Sequence, residues 1–329
     1  MKAENQDCFG IGADGTLVVA DGVGSGEKSK LAALVVQQCV LMTGVEATEA
    51  NAQDLINRIA FILKERSSEM SLTTETVQTA MAGGISTIVD MANTVIHTIF
   101  GDTAMTCFSA VKVAESNGEL MLQGAYCGDV KVVVYNREGE VKFETEDGLK
   151  DFRLALSKLL QTLKDNETQR PLIERKIRVL IQSFFKNRNK LDCAVGQDLK
   201  FQSEPISCPV VEGDRVVVAT DGLWDNYTPE EVIHIILGKP ASESLTHLWK
   251  ATALAQKCQA TYLNENDFAP GDKQPPIECR QAYTVYNKLL GVNQVHRPYL
   301  QEEGTLQQCR IDNRAIVIFD VQTDRQTLS

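Results

Sequence analysis

The first 43 residues change from an alternating pattern of apolar positions to a helical one. Two strand-like runs, DCFGIG and TLVVA, occupy residues 7–20 and flank Asp14–Gly15, a pair favoured in type I′ turns. From Glu27 to Thr43 the apolar residues recur at helical spacing on one side. This part of the chain is therefore predicted to form a β-hairpin followed by a helix.

The same two periodicities predict most of the remaining elements. Helical spacing favours helices over 52–66 and 74–100, with an interruption at Gly83–Gly84. Runs rich in β-branched residues predict strands over 105–114, 119–126, 130–135, 215–220 and 314–321. Asn117–Gly118, a strong hairpin signal, joins the first two of these strands.

Two segments interrupt this β pattern. Residues 149–190 are predicted to be helical, and Lys and Arg outnumber Glu towards their end. That basic face either recognises an acidic partner or is simply solvated. Residues 239–304 contain a further predicted helix, at about 243–263, followed by a loop region rich in Pro, Asn and Gln. Without a repeat or a clear linker, the chain is predicted to be one domain over 1–329 carrying two insertions.

Composition and charge narrow the classes of partner. Hydrophobic residues make up 43% of the 329 residues, and the net charge is −11. This acidity argues against nucleic acid as a partner and leaves room for cations. No apolar run approaches a membrane span and no segment resembles a signal peptide, so we expect a soluble, cytoplasmic protein.

Nine cysteines are spread along the chain without a C-x-x-C pair. An odd number at irregular spacing favours reduced thiols over a disulfide framework, which agrees with an intracellular location. The cysteines are residues 8, 39, 107, 127, 193, 208, 258, 279 and 309.

Acidic residues recur at the ends of the predicted strands. They are Asp7, Asp21, Asp129, Asp221, Asp225 and Asp312. Any one of them could be a turn residue, since Asp is common where strands end. Together they could converge on one sheet edge, where they would repel one another without cations. Hard oxygen ligands of this kind suit Mg²⁺ or Mn²⁺.

The stretch VVADGVGSGEKS, residues 18–29, offers a competing hypothesis. Gly22, Lys28 and Ser29 nearly match the phosphate-binding loop G-x-x-x-x-G-K-[ST] of nucleotide-binding ATPases. The glycine required before the lysine is replaced by Glu27, which would bring a carboxylate against bound phosphate. We interpret the glycines instead as a tight exit from a strand that ends at Asp21.

Taken in order, several motifs resemble those of metal-dependent protein phosphatases of type 2C. The motifs are ENQDCF, VVADGVGSGEKS, GDTA, GAYCGDVKVVVY, GDRVVVATDGLWD and DNRAIVIF, within 1–43, 101–135, 212–237 and 311–321. The resemblance implies an α+β fold, a four-layer α-β-β-α sandwich of two antiparallel sheets flanked by helices. It also implies hydrolysis of phosphoserine and phosphothreonine in phosphoprotein substrates.

The resemblance also implies a role for each acidic position. Asp21 would bridge two Mn²⁺ or Mg²⁺ ions, with the Gly22 carbonyl near one of them and Asp221 and Asp312 completing the site of the other. Asp7 would hydrogen-bond metal-bound water, and Asp129 and Asp225, with Asp221, match the positions of a weaker third ion. Two such ions activate water for direct attack on phosphorus, which explains why no nucleophilic cysteine or serine is needed.

Three positions depart from the family pattern. Lys2 stands where an arginine commonly grips the substrate phosphate, and lysine lacks the two-pronged guanidinium. Gln6 replaces a usual glutamate, and Val23 replaces a histidine found in many eukaryotic members. The alternative hypothesis is a pseudophosphatase, the same fold used as a binding or regulatory module, which loss of two or more of the metal aspartates would indicate; all of them are present.

Overall fold

The computed structural model describes residues 5–24, 26–146, 193–224, 227, 229–258 and 314–322, with isolated positions between 155 and 191. Two antiparallel sheets form its centre. The strands of the first sheet are β1 Cys8–Ile11, β2 Leu17–Val23, β3 Met105–Ser116, β4 Glu119–Cys127 and β7 Glu204–Pro209. They lie side by side in the order β1-β2-β3-β4-β7. The strands of the second sheet are β5 Lys131–Tyr135, β6 Val141–Glu144, β8 Arg215–Ala219 and β9 Ile316–Asp320. They lie side by side in the order β6-β5-β8-β9.

Helices flank both sheets. The helices described here are α1 Glu27–Leu41, α2 Glu49–Leu63, α3 Thr74–Ala82, α4 Gly84–Phe100, α5 Asp221–Trp224, α6 Pro229–Ile236 and α7 Ala241–Cys258. Short 3₁₀ segments follow α2 and α4, at Lys64–Glu69 and Gly101–Thr103. Among the described residues, no helix has the length and apolar character needed to cross a bilayer.

The alternation of side chains along the strands divides the interior into three cores. On β2, Val18 and Ala20 pack under α1–α4, whereas Leu17 and Val19 face the second sheet. On the second sheet, alternate residues such as Val217 pack against α5–α7. The order of layers is therefore helix, sheet, sheet, helix, which confirms the predicted α+β sandwich.

The two predicted hairpin turns differ in outcome. Asn117 and Gly118 have φ of 55° and 80°, which confirms the type I′ turn between β3 and β4. The prediction for Asp14–Gly15 is wrong, because Asp14 does not have the positive φ that a type I′ turn requires. Its carboxylate instead accepts the Thr16 N–H at 3.0 Å and pairs with Lys112 at 3.4 Å, so side-chain contacts determine a longer loop.

The other helices and strands can be compared with the elements that the hydrophobic pattern predicts. The break at Gly83–Gly84 separates α3 from α4 as predicted. Two strands, β6 and β7, were not predicted, because runs of only four and six residues are too short for a clear pattern. The helical prediction for 149–190 falls largely outside the described residues, and α7 begins two residues before its predicted start. The single-domain boundary over 1–329 stays a prediction.

Arg215 ties the second sheet to its helical layer. At the start of β8, its guanidinium donates to both carboxylate oxygens of Asp320 on β9, at 2.6 and 3.1 Å. It also donates to the carbonyl oxygens of Ile236 and Lys239, at 2.9 and 2.7 Å, and to Ser244 Oγ at 3.0 Å. One side chain therefore connects two strands and two helices.

Replacing Arg215 with Met is expected to lower the free energy of unfolding by about 2 kcal/mol, because two carbonyls and Asp320 each lose a charged donor. Urea unfolding measures this loss. Arg58→Met is the matched control, since Arg58 pairs with Asp54 at 2.8 Å while both side chains are about half exposed. Equal stability of the two variants would show that the Arg215 contacts contribute little.

Candidate active site

Asp21 lies near the end of β2, at one edge of the core between the two sheets. Because side chains alternate along a strand, Asp21 shares the face of Leu17 and Val19. Its strand partner is Cys107 on β3. The Thr106 hydroxyl donates to the backbone carbonyl oxygen of Asp21 at 2.7 Å and so fixes this end of the strand. The local fold therefore places a carboxylate at the rim of an apolar core.

Three other predicted carboxylates converge on Asp21. Burial, followed by the charges of Asp221, Asp7 and Asp129, raises the pKa of the Asp21 carboxyl well above its ordinary value. A side-chain hydrogen bond with Asp7 acts in the same direction. The four residues come from separate parts of the chain: the approach to β1, the end of β2, the turn after β4 and the start of α5. Their convergence is the central feature of the site.

Asp7 is held in place by a hydrogen-bond network between the sheets. Thr220, directly after β8, donates its hydroxyl to Asp7 Oδ2 at 2.8 Å. The same hydroxyl accepts the N–H of Ala315 at 3.0 Å, and the N–H of Thr220 donates to the carbonyl oxygen of Ala315 at 3.1 Å. The chain before β1 is thus joined to the end of β8 and the start of β9.

We expect Thr220→Val, which keeps the shape but removes the hydroxyl, to lower the free energy of unfolding by about 2 kcal/mol. Asp7 loses a donor, and the buried N–H of Ala315 loses an acceptor. Thr220→Ser keeps the hydroxyl and should cost less than half as much. Denaturant unfolding of both variants tests this, and identical losses would contradict the role of the hydroxyl.

Asp129 reaches the cluster because the preceding residue is glycine. Gly128 has φ of 76°, and a Cβ there would lie 2.2 Å from Cys107 Sγ. The turn therefore passes directly over the thiol. At the residue after Asp129, the Ser109 hydroxyl of β3 donates to the carbonyl oxygen of Val130 at 2.5 Å. These contacts hold Asp129 between β4 and β5, facing Asp21.

Gly22 lies where α1 meets β2. A Cβ on Gly22 would come within 2.9 Å of the Ser29 backbone, so the first turn of α1 packs directly on this residue. Gln6, one of the departures from the family pattern, is buried and donates to the Gly26 carbonyl oxygen at 3.0 Å. Its amide therefore contributes to the packing of the turn that follows Asp21.

The residues that suggested a phosphate-binding loop have structural contacts. Lys28 Nζ donates to Thr103 Oγ1 at 3.1 Å, and Ser29 Oγ donates to the Val23 carbonyl oxygen at 2.5 Å. Both side chains fasten the first turn of α1 to its surroundings. These contacts favour the interpretation of 18–29 as a strand exit and disfavour the nucleotide-loop hypothesis.

The thiols beside the cluster are poor nucleophiles. Burial, with smaller contributions from Asp7 and Asp21, raises the pKa of Cys8 to about 12. Burial and the charges of Asp129 and Asp21 also raise the pKa of Cys107 well above its ordinary value. Since the thiolate is the reactive form, neither cysteine is suited to attack phosphorus at neutral pH.

The donor set fits hard divalent cations. The charges of three carboxylates raise the pKa of Asp21, so added positive charge is favourable in this environment, and Mg²⁺ and Mn²⁺ prefer oxygen ligands. Among the residues that the structure describes, no group of three or more His, Cys, Asp or Glu side chains is arranged to hold a metal ion as it stands. Three predicted site residues, Lys2, Asp225 and Asp312, lie outside the described residues.

Thr220 is the site residue that sequence reasoning missed. It precedes Asp221, whose carboxylate carries the stronger chemical signal in this part of the sequence. A signal was present: along β8, Val216 and Val218 face the inter-sheet core, so residue 220 continues on the same face. A polar residue in that position needs a partner, and Asp7 provides it.

Comparison with known proteins gives structural likenesses only. No model of a protein family matches the chain, and no curated protein matches it. The serine/threonine phosphatase of S. agalactiae is 15% identical with a TM-score of 0.48, over 78% of this chain and 89% of that one. The PPM Ser-Thr phosphatase MsPP of Mycobacterium smegmatis is 16% identical with a TM-score of 0.48, over 78% and 88%.

A third similar structure is the serine/threonine phosphatase PstP/Ppp of Mycobacterium tuberculosis. It is 17% identical with a TM-score of 0.47, over 78% of this chain and 88% of that one. All three proteins are serine/threonine phosphatases. At this identity and TM-score, however, the likeness assigns no activity to the chain, and the case for function depends on the site residues.

Proposed function

We propose that the chain is a protein serine/threonine phosphatase that depends on Mn²⁺ or Mg²⁺ and acts on phosphoprotein substrates. The observation that supports this most strongly is the convergence of Asp7, Asp129 and Asp221 on Asp21 at the rim of the inter-sheet core. Such a cluster repels a phosphate dianion unless cations intervene. Under this proposal, phosphate would therefore bind at the cluster only together with cations.

Under this proposal the carboxylates divide into binding and positioning roles. Asp21 and Asp221, together with Asp312 and the carbonyl of Gly22, would hold two ions, while Asp129 and Asp225 would hold a third. When bound there, divalent cations would supply a lowered pKa for water and positive charge against the phosphoryl oxygens. Asp7, fixed by Thr220, would orient that water by hydrogen bonding.

The chain's own residues favour direct attack by water over a covalent intermediate. The raised pKa values of Cys8 and Cys107 keep both thiols protonated, so neither of these two cysteines is suited to a phosphocysteine route. Lys2, close to Asp7 in sequence, would supply positive charge for the substrate phosphate. A lysine there acts as a point charge and lacks the fork of an arginine.

The proposal is tested by turnover of p-nitrophenyl phosphate and of a phosphothreonine peptide while Mn²⁺ or Mg²⁺ is titrated. We expect hydrolysis that requires metal and that Asp221→Asn lowers by at least about a hundredfold. Asp90→Asn, a change of the same chemistry on the exposed side of α4, should leave turnover unchanged. Absence of hydrolysis of both substrates at every metal concentration would reject the proposal and favour a pseudophosphatase.

A further inference from the structure

A cavity of about 550 Å³ opens beside the carboxylate cluster. It lies between the chain that enters β1, the helix α7 and the start of β9. Asp7 and Ala315 line this cavity, and both belong to the Thr220 network at the cluster. The cavity and the candidate active site therefore share a wall. A peptide with its phosphorylated side chain at the cluster would have a neighbouring residue beside the cavity mouth.

Large apolar side chains line the cavity although they are partly exposed to solvent. Phe9 is 58% exposed, Trp249 45% and Leu245 37%. Phe9 comes from β1, whereas Leu245 and Trp249 lie one turn apart on α7. Exposed apolar groups gathered around one concave surface are typical of binding sites, whereas single exposed residues are ordinary.

Two cationic residues, Lys250 and Arg314, line the same cavity. The guanidinium carbon of Arg314 lies 3.9 Å from the centroid of the Trp249 ring, which is a cation–π stack. This stack by itself could serve only to hold α7 against β9. Phe9, Leu245 and Lys250 take no part in the stack, and their presence around the cavity is what indicates a ligand.

The residues that line the cavity restrict the chemistry of the ligand. An apolar surface of Phe9, Leu245 and Trp249 suits an aromatic or large aliphatic side chain. Lys250 and Arg314 at the same surface repel a basic residue and favour a peptide that is acidic nearby. Among the residues that line the cavity, these two cations outnumber the single carboxylate, Asp7, although the chain as a whole has a net charge of −11.

We propose that this cavity is a substrate subsite that receives an aromatic or large aliphatic side chain close to the phosphorylated residue and excludes a basic one there. This inference rests on the proposed phosphatase function, because the phosphate at the carboxylate cluster sets the register of the peptide. Under this inference, side chains on β1, on α7 and at the start of β9 determine the substrate preference.

The test uses phosphothreonine peptides in which each of the three positions on either side is Phe, Ala or Lys in turn. At one or more positions, Phe should raise kcat/KM at least about tenfold over Ala, and Lys should lower it below Ala. Trp249→Ala should reduce the preference for Phe to less than about threefold. Turnover of p-nitrophenyl phosphate, which carries no peptide residue, measures any general loss of activity in the variant, and the Phe-to-Ala ratio is independent of such a loss.

Two further variants separate the subsite from general effects. Phe61→Ala removes an aromatic side chain that is 84% exposed on α2, and it should leave every peptide preference unchanged. Lys250→Glu should weaken the discrimination against Lys at the same peptide position. The inference is overturned if the wild type ranks Phe, Ala and Lys equally at all six positions, or if Trp249→Ala keeps the full preference.

Direct binding distinguishes failure of the subsite from failure of the phosphatase function. Trp249 is 45% exposed, while Trp224 is 7% exposed, so a change in tryptophan fluorescence on adding peptide reports mainly on Trp249. Even if no substrate is hydrolysed, the Phe peptide should bind more tightly than the Ala peptide, and Trp249→Phe should abolish the signal. Equal affinities for the two peptides would overturn the subsite whatever the turnover.

Discussion

Asp21→Asn is expected to lower metal-dependent turnover by at least about a thousandfold while the protein stays folded. Asp21 is the residue on which the charges of Asp7, Asp129 and Asp221 converge. Replacing it with a neutral amide removes the ligand that both proposed ions share, and a loss of about 4 kcal/mol in transition-state stabilisation corresponds to this factor. Steady-state kinetics at saturating Mn²⁺ measures it.

The same substitution should stabilise the metal-free protein. Removing one of four mutually repelling carboxylates relieves an unfavourable interaction, so we expect the melting temperature without metal to rise by about 2–4 °C. Asp90→Asn should change neither turnover nor melting temperature. If Asp21→Asn keeps more than about a tenth of wild-type turnover, Asp21 does not have the proposed role.

Gly128→Ala is expected to lower the free energy of unfolding by about 4 kcal/mol. An alanine at φ of 76° is strained, and its Cβ would lie 2.2 Å from Cys107 Sγ and 2.8 Å from Cys107 Cβ. Strain of about 1–2 kcal/mol and overpacking of about 1–3 kcal/mol add to this loss. Because Asp129 follows directly, turnover should fall as well. Urea unfolding measures the change in stability.

Gly118→Ala is a matched control for this prediction. Gly118 has φ of 80°, close to that of Gly128, but a Cβ there would have no atom within 4 Å. Its replacement should therefore cost only the backbone strain, about 1–2 kcal/mol. The difference between the two variants isolates the contact with Cys107. Losses of equal size would show that the thiol does not restrict the turn.

The positions of the strands and the acidic residues at their ends could be predicted because both depend on local pattern. Apolar runs define β2 and β8, and Asp21 and Asp221 stand where those runs end. Whether such residues meet in space is a property of the tertiary fold. Three of the predicted carboxylates do lie beside Asp21, while Asp225 and Asp312 remain predictions.

The features that sequence reasoning missed depend on contacts between distant residues. Lys112, far from Asp14 in sequence, pairs with its carboxylate in the longer loop found there. Thr220 acquires its role through Asp7, which lies 213 positions away. A strand as short as β6, with four residues, gives little periodic signal, and its strand character comes from pairing with the buried strand β5.

The most direct test of the account is equilibrium binding of Mn²⁺ to the full chain, measured by titration calorimetry alongside turnover. We expect the wild type to bind at least two ions and its turnover to rise with their occupancy. Asp21→Asn should lose both the binding of Mn²⁺ and the turnover. Turnover that persists in excess chelator, or Mn²⁺ binding that Asp21→Asn leaves unchanged, would contradict the claim that the carboxylates around Asp21 form a catalytic metal site.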